Sequence, residues 1–511
     1  MNSSICRARQ RPKRFWANVK PIELAARDWL AASDWVPIPA DKDGGYVLVK
    51  MDVLKEVQSE LLAGPWYSQY GTGCDVQTWK ALVPQYRRLA KEVAELDDRV
   101  SVGLLCSSLS AGPSRLPSRL IHTCKTHKEP GEVSFRAVHS STGHSFLGLM
   151  SWVSLVLKDA LAKYAHLVSS SADFLKRIKE VHVSEPDIMM HMDLKDFFMT
   201  GSSQFLTHHS SLILPISIRP IYRRVVKFLL DYQFITSWFF PGEWWRVVQG
   251  SGMGLRCSSY VSDAAFLHCN ELCGLGLITA RAQQRFGIIS YTRYRDNMLF
   301  ILRQDFSVIR SLKLNVENNM LPYIGTTEEV SHIGVTFLDL NIVKDDCWRH
   351  SGCLSYSPYM KPTSFIQALS ITSAHKPSTH EAWMRAYVLR LRRHSSSLTW
   401  FRTMKWQFLF RLRRAGIDQS LTDEVDRSTR FSVPSGVPVN LRNPVIESKG
   451  DMWIVLPFHP VWADSVNRSL HRLALLPGIT EVLHQIDPHC DAFRVAWCLS
   501  MPSLGSIVRK F

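Results

Sequence analysis

Nowhere in the 511 residues do roughly 18 apolar residues run together, so no membrane-spanning helix is expected. The longest apolar stretch, Phe146 to Leu157, is interrupted by serine and ends at Lys158-Asp159, as a buried helix would. None of the 11 cysteines forms a CxxC pair, and Cys269 and Cys273 stand at helical i,i+4 spacing without a histidine cluster beside them. Zinc is therefore not expected; reduced core thiols in an intracellular compartment are. The first residues lack the apolar core of a signal peptide. They carry Arg7, Arg9, Arg11, Lys13 and Arg14, which read equally as a nuclear address, a nucleic-acid arm or a solvated tail. No internal repeat is evident. Acidic residues are comparatively few, 45 against 61 Lys and Arg, giving a formal net charge of +16. That surplus favours a polyanionic partner. Hydrophobic content of 46% and charged content of 21% belong to a folded chain rather than a disordered one.

Along the chain, residues 1–34 read as a basic tail and a lead-in helix. Val36 to Val49 reads as strand, Asp-Gly turn, strand. Residues 76–104 are helical, Ser107 to Ser118 is a Ser/Pro/Gly loop, and a basic strand and turn covers Lys125 to Gly131. A second strand lies around Phe135 to Val138, and helices fill 144–182. Residues 376–415 form a strongly basic, Trp-rich helical region, and the tail beyond about 470 reads as a small helical remainder.

The chemistry concentrates in three places. Asp193 ends the apolar segment Ile188-Met189-Met190-His191-Met192, and Asp296 sits between Tyr291-Thr292-Arg293-Tyr294 and Met298-Leu299-Phe300, as at the tip of a β-hairpin. Between them lies Gln249-Gly250-Ser251-Gly252-Met253-Gly254. A strand-end Asp, a Gly-rich turn opening a helix, and an Asp in a hairpin form the order of parts in a polymerase palm. Phosphoryl transfer needs the attacking hydroxyl and the phosphate in line, with charge neutralised by divalent ions roughly 3.5–4 Å apart. Asp193 and Asp296 are the expected catalytic residues and ligands of two Mg²⁺ ions, with Mn²⁺ as a substitute. Asp196 is expected exposed and Phe197 in the core. Phe198 would lie under the incoming sugar and clash with a 2′-hydroxyl. Gln249 and Gly250 would let backbone approach the nascent base pair. Lys125, Lys128 and Arg136 would form a basic ribbon over the triphosphate.

On these residues the chain resembles the reverse transcriptase of Penelope-like retroelements, relatives of telomerase reverse transcriptase, over roughly residues 36–470. The fingers motifs resemble Pro39 to Gly45 and Lys125-Thr126-His127-Lys128 followed by Arg136. The first palm motif matches Asp193 to Thr200, and the Gln/Gly/Met-Gly motif matches Gln249 to Gly254. An Arg-Tyr-x-Asp-Asp hairpin matches Arg293 to Asp296, departing at Asn297. Phe337-Leu338-Asp339-Leu340, Lys361-Pro362-Thr363 and Ser373-Ala374-His375-Lys376-Pro377 follow. The resemblance implies an α+β right-hand polymerase fold with fingers (35–184), an antiparallel-sheet palm (185–345) and a helical thumb (346–470), then a helical remainder (471–511). It implies RNA-directed DNA polymerisation from dNTPs on an RNA template and DNA primer, in the nucleus and without a membrane. Lys361, Arg390, Arg392 and Arg393 would contact nucleic acid. No GIY-YIG endonuclease sequence is present, as in the branch lacking that domain or a truncated copy. A catalytically decayed nucleic-acid-binding descendant is the alternative, with Asn297 in its favour. An RNA-directed RNA polymerase shares the palm, and bulky Phe198 argues against it.

Overall fold

A computed structural model describes residues 21–41, 46–72, 75–125, 134–360, 377–414, 416–429, 451–457 and 492–498. The chain divides into two compact units, one spanning Asp34–Arg430 and the other combining Met1–Ser33 with Phe431–Phe511. Helix α1 (Pro21–Ala32) belongs to the second.

The Asp34–Arg430 unit begins with an antiparallel pair, β1 (Trp35–Pro39) and β2 (Tyr46–Lys50). Helix α2 (Met51–Ala63), β3 (Tyr67–Thr72), α3 (Asp75–Leu96) and α4 (Val102–Cys106) follow. Then come β4 (Ser118–Cys124), β5 (Phe135–Ser140), α5 (Leu147–Leu161) and α6 (Ser171–Ile178). The basic run expected as a strand, Lys125 to Gly131, begins where β4 ends; most of it lies outside the described residues.

The middle of the chain supplies β6 (Ile188–Leu194), α7 (Ser203–Leu212), α8 (Arg219–Asp231), β7 (Phe234–Thr236), β8 (Glu243–Val247) and α9 (Ser258–Phe266). Helix α9 runs on as a π-helix, Leu267–Cys273. Helix α10 (Ala280–Arg285), β9 (Ile288–Tyr294), β10 (Asn297–Leu302), α11 (Phe306–Asn318) and β11 (Gly325–Ser331) complete this part. Strands β12 (Gly334–Phe337) and β13 (Leu340–Val343), helix α12 (Asp346–Ser351) and β14 (Ser355–Pro358) lead to three helices: α13 (Pro377–Arg393), α14 (Leu398–Arg414) and α15 (Gln419–Ser428).

Three of the sheets organise the unit. The four-stranded sheet, ordered β11-β6-β10-β9, is antiparallel throughout. The five-stranded sheet is ordered β3-β8-β7-β4-β5, with β4 and β7 parallel. It draws β7 and β8 from residues expected within the palm segment 185–345, so the sheet crosses the boundary expected at 184/185. The third sheet is ordered β12-β13-β14.

Both faces of the four-stranded sheet are covered, which explains why β6 and β10 read as nearly continuous apolar runs rather than alternating ones. On one face Met190, Met192 and Phe300 pack with Phe266, Leu312 and Tyr323. On the other, Met189, Leu299 and Ile301 pack with Phe174, Val335, Phe337 and Ile342. Edge strand β11, Gly-Thr-Thr-Glu-Glu-Val-Ser, is polar as exposed edges commonly are.

In the other unit, β15 (Asp451–Pro457) pairs in parallel with β16 (Ala492–Cys498). Residues 492–498 were expected in a helical remainder. Phe493, Val495 and Trp497 recur at every second position, the strand period, and these residue types favour strand over helix.

Candidate active site

The register of three strands assembles the carboxylates. Asp193 stands opposite Asn297 across the β6–β10 pair. Arg295-Asp296 forms the two-residue turn from β9 to β10, with Tyr294 opposite Asn297. The Leu194 amide donates to the Asp296 carbonyl at 2.9 Å. From the other side Thr326 lies opposite Asp193 and donates its hydroxyl to the Asp193 carbonyl at 3.3 Å. Asp193 and Asp296 thus share one end of one sheet, both half-buried. Asp196 is exposed and Phe197 is core, as expected.

Asn297 has a defined task. Its Nδ2 donates to Asp296 Oδ1 at 3.0 Å, and its Oδ1 lies 3.2 Å from His191 Nε2. A carboxylate can only accept, so the amide must present its NH₂ to Asp296 and its oxygen to an Nε2–H of His191. The Asn297 side-chain oxygen is therefore engaged by His191. Burial holds His191 below the ordinary imidazole range.

Hard oxygen donors at a half-exposed strand end suit Mg²⁺, which keeps part of its water shell and shares substrate phosphate oxygens. Among the described residues no cluster of three or more His, Cys, Asp or Glu stands ready to hold a metal unaided. The donor set fits Mg²⁺ rather than a closed zinc site.

The Gly-rich loop docks on the segment after β6. The Phe198 carbonyl accepts from the Ser251 and Gly252 amides at 2.8 and 3.1 Å, and the Gly250 amide donates to the Gly201 carbonyl at 2.7 Å. Gly250 has φ +83°, and a Cβ there would stand 2.3 Å from Met199 Cα, so glycine is required. Phe198, Gln249 and Gly250 are thereby brought together. The loop also meets β5, where the His139 amide donates to the Met253 carbonyl at 2.7 Å.

His139 is a part that sequence reasoning missed. Its Nε2 lies 2.9 Å from Tyr67 Oη, and its Nδ1 lies 3.2 Å from Gln233 Nε2. Gln233 Nε2 can only donate, so the imidazole carries its proton on Nε2. Burial pushes its pKa down to about 4. A lone histidine in a short strand gives no local sequence signal of this kind, because its partners Tyr67 and Gln233 lie far away in the chain.

The expected phosphate-binding cations fare unevenly. Arg136 Nη2 lies 3.4 Å from buried Asp41 Oδ2, while the Thr123 hydroxyl donates to Asp41 Oδ1 at 3.2 Å. The segment at Asp41 and the β4–β5 pair therefore meet, and part of the Arg136 charge goes to Asp41. Lys125 is half-buried at the end of β4. Lys128 and Lys361 lie outside the described residues. Arg390 is paired with Asp339, which also accepts from Ser171. Arg392 is half-buried and Arg393 exposed.

Beneath the hairpin lies an ionic group with no assigned role at the sequence level. Arg293 is fully buried and bonded to Glu271 and Asp263. Its signal was present: Asp263 and Glu271 are the only acids in the otherwise uncharged stretch Val261 to Cys273.

No protein-family model and no curated protein matches the sequence. Among solved structures, telomerase from Candida albicans in complex with a TWJ fragment of telomeric RNA is 9% identical with a TM-score of 0.47, over 70% of this chain and 58% of that one. Apo telomerase from Candida tropicalis is 10% identical with a TM-score of 0.44, over 81% and 67%. The BmCPV RNA-dependent RNA polymerase is 11% identical with a TM-score of 0.35, over 63% and 30%. The chain thus spans less than two thirds of the Candida albicans telomerase it matches. These likenesses are distant.

Proposed function

We propose that the chain is an RNA-directed DNA polymerase of the Penelope-like retroelement kind, extending a DNA primer on an RNA template from dNTPs in the nucleus. The observation that carries this reading is the register setting Asp193 beside the Asp296 turn while the Gly250 loop is bonded to the Phe198 carbonyl. Two Mg²⁺ ions held by Asp193 and Asp296 would neutralise phosphate charge and lower the pKa of the primer hydroxyl. The chain's own contribution is placement. The β6–β10 pairing fixes both carboxylates, Asn297 orients Asp296, and Phe198 at the loop would exclude a 2′-hydroxyl. Lys125, Lys128 and the free share of Arg136 would face the triphosphate, and Lys361, Arg392 and Arg393 the nucleic acid.

A second reading, a decayed nucleic-acid-binding descendant, is favoured by Asn297. Its amide bridges His191 and Asp296 and adds no carboxylate. Primer extension by purified protein on RNA and DNA templates, with dNTP or rNTP and Mg²⁺ or Mn²⁺, tests both. Extension with dNTP on RNA that vanishes in Asp193→Ala and Asp296→Ala supports the polymerase. Template binding without extension under any condition supports the descendant, and preference for rNTP supports an RNA polymerase. Phe198→Val is expected to admit ribonucleotides; an unchanged dNTP/rNTP ratio removes Phe198 from the site.

A further inference from the structure

Arg293 uses all five of its N–H donors inside the protein. Nε and Nη2 donate to Glu271 Oε1 and Oε2 at 2.8 and 2.9 Å. Nη1 donates to Asp263 Oδ1 at 2.8 Å and to the Arg295 carbonyl at 2.9 Å, and Nη2 reaches the Asp263 carbonyl at 3.4 Å. The guanidinium lies 4.8 Å from the Phe266 ring centre and 6.0 Å from that of Phe197. Tyr291 donates to Glu271 at 2.7 Å, and His166 Nε2 stands 3.2 Å from the same oxygen. Arg295, half-buried, pairs with Asp263 from the outer side and sits over Tyr260. Two arginines and two carboxylates balance in charge, as burial demands.

Two details set this group apart from an ordinary buried ion pair. Eight residues at about 3.6 per turn would leave Glu271 about 80° around the helix from Asp263. The wider i→i+5 turn of Leu267–Cys273 reduces that offset and brings both acids to one guanidinium. At the other end, Arg295 has φ +57°, a strained conformation for a residue with a Cβ. Its carbonyl, joined to the Asp296 nitrogen, is the one Arg293 holds.

We propose that Arg293 is the positioning residue of the site, locking the Asp296 turn to the helix that leaves the Gln249–Gly254 loop. Carboxylates and loop then move as one body. The inference rests on reading Asp193 and Asp296 as metal ligands. Lysine cannot replace this arginine, because it has three donors on a flexible stem and no planar fork.

The test compares Arg293→Lys and Arg295→Gln with the wild-type full chain. Mn²⁺ titration followed by electron paramagnetic resonance reads the carboxylate pair without turnover. Primer extension reads kcat and the dNTP KM, and circular dichroism reads the fold. A folded Arg293→Lys protein is expected to bind Mn²⁺ at least about tenfold more weakly. Its kcat is expected to fall about 10–100-fold, while dNTP KM and template affinity hold steady. Arg295→Gln, at a half-buried position, is expected to shift both in the same direction by less. Unchanged Mn²⁺ affinity and kcat in folded Arg293→Lys overturns the proposal, as does a loss confined to KM. If Arg293→Lys does not fold, Arg295→Gln decides on the same readings. A wild-type protein that binds Mn²⁺ yet extends no primer refutes the polymerase reading alone, and the Mn²⁺ shift still judges Arg293.

Discussion

The four-stranded and five-stranded sheets both bury polar groups beside the same loop, but in opposite chemical states. Behind the four-stranded sheet the group around Arg293 is ionised. Burial alone would raise the Glu271 carboxyl, and Arg293 and His166 outweigh it and hold the carboxyl well below its usual range. Behind the five-stranded sheet the buried histidines are neutral. Burial takes His139 to about 4 and His122, which meets Gln58 Nε2 at 3.1 Å, to about 4 as well. Neutral hydrogen bonds suffice to seat a loop. Holding a strained turn under a carboxylate takes the stronger, forked contacts of a charged guanidinium.

The largest expected effect breaks the ionised side. Glu271→Ala leaves Arg293 buried with its fork half empty, and about 3–5 kcal/mol of stability should be lost. Urea unfolding measures it. The double variant Arg293→Met/Glu271→Met, in which Asp263 and Arg295 still balance, should recover much of that loss. A loss under about 1 kcal/mol in Glu271→Ala would place the network among weakly contributing pairs and erase the contrast between the sheets.

The next effect comes from acid and should strike the neutral side first. The folded pKa of His139 is about 4 against an ordinary 6.5. Between those values the unfolded chain binds a proton that the folded chain refuses, so stability rises with pH across that window. It is complete above pH 6.5 and lost as pH falls toward 4, by up to about 3 kcal/mol for this residue. His122 acts in the same direction. Glu271 stays charged through the whole window, and His191 on β6, held below its ordinary range by burial but supported by Asn297, adds a loss of the same sign, so the four-stranded sheet should lose less than the five-stranded one. Hydrogen exchange at pH 7 and pH 5 should show amides of β4 and β5 losing protection before those of β6 and β10. His139→Gln should flatten the pH dependence. Equal loss in both sheets would remove the distinction.

What the sequence made legible follows the same division. Asp193, the Asp296 hairpin and the Gly250 turn were readable because each sits where a strand or turn signal is strong. The β6–β10 register that joins them follows from two apolar runs of matching length. Chain order concealed the pairing of β7 and β8 with β3 and β4, since strands so far apart in sequence share no local signal. Arg293 was visible as a letter in a motif. Its pairing with the two isolated acids was not, because the face on which Glu271 emerges depends on a π-turn that a 3.6-residue period does not anticipate. Arg390, Arg392 and Arg393 were read together as nucleic-acid contacts, whereas the pairing of Arg390 is decided by Asp339, far off in the chain.

The smallest expected effect separates those arginines. Arg390 is half exposed and paired with Asp339 in the turn between β12 and β13, where Leu338 has φ +58°. A surface pair of this kind contributes about 0.2–1 kcal/mol, so Arg390→Gln should cost no more than that in urea unfolding. Its charge is already neutralised within the chain, so the slope of log affinity against log salt for template binding should not change. Arg393, exposed at the end of α13, is the contrasting case. If it neutralises one phosphate, Arg393→Gln should lower that slope by about 0.7–0.9. A slope change in Arg390→Gln would mean that nucleic acid displaces Asp339. An unchanged slope in both variants would leave α13 as packing and place the cationic track on other residues.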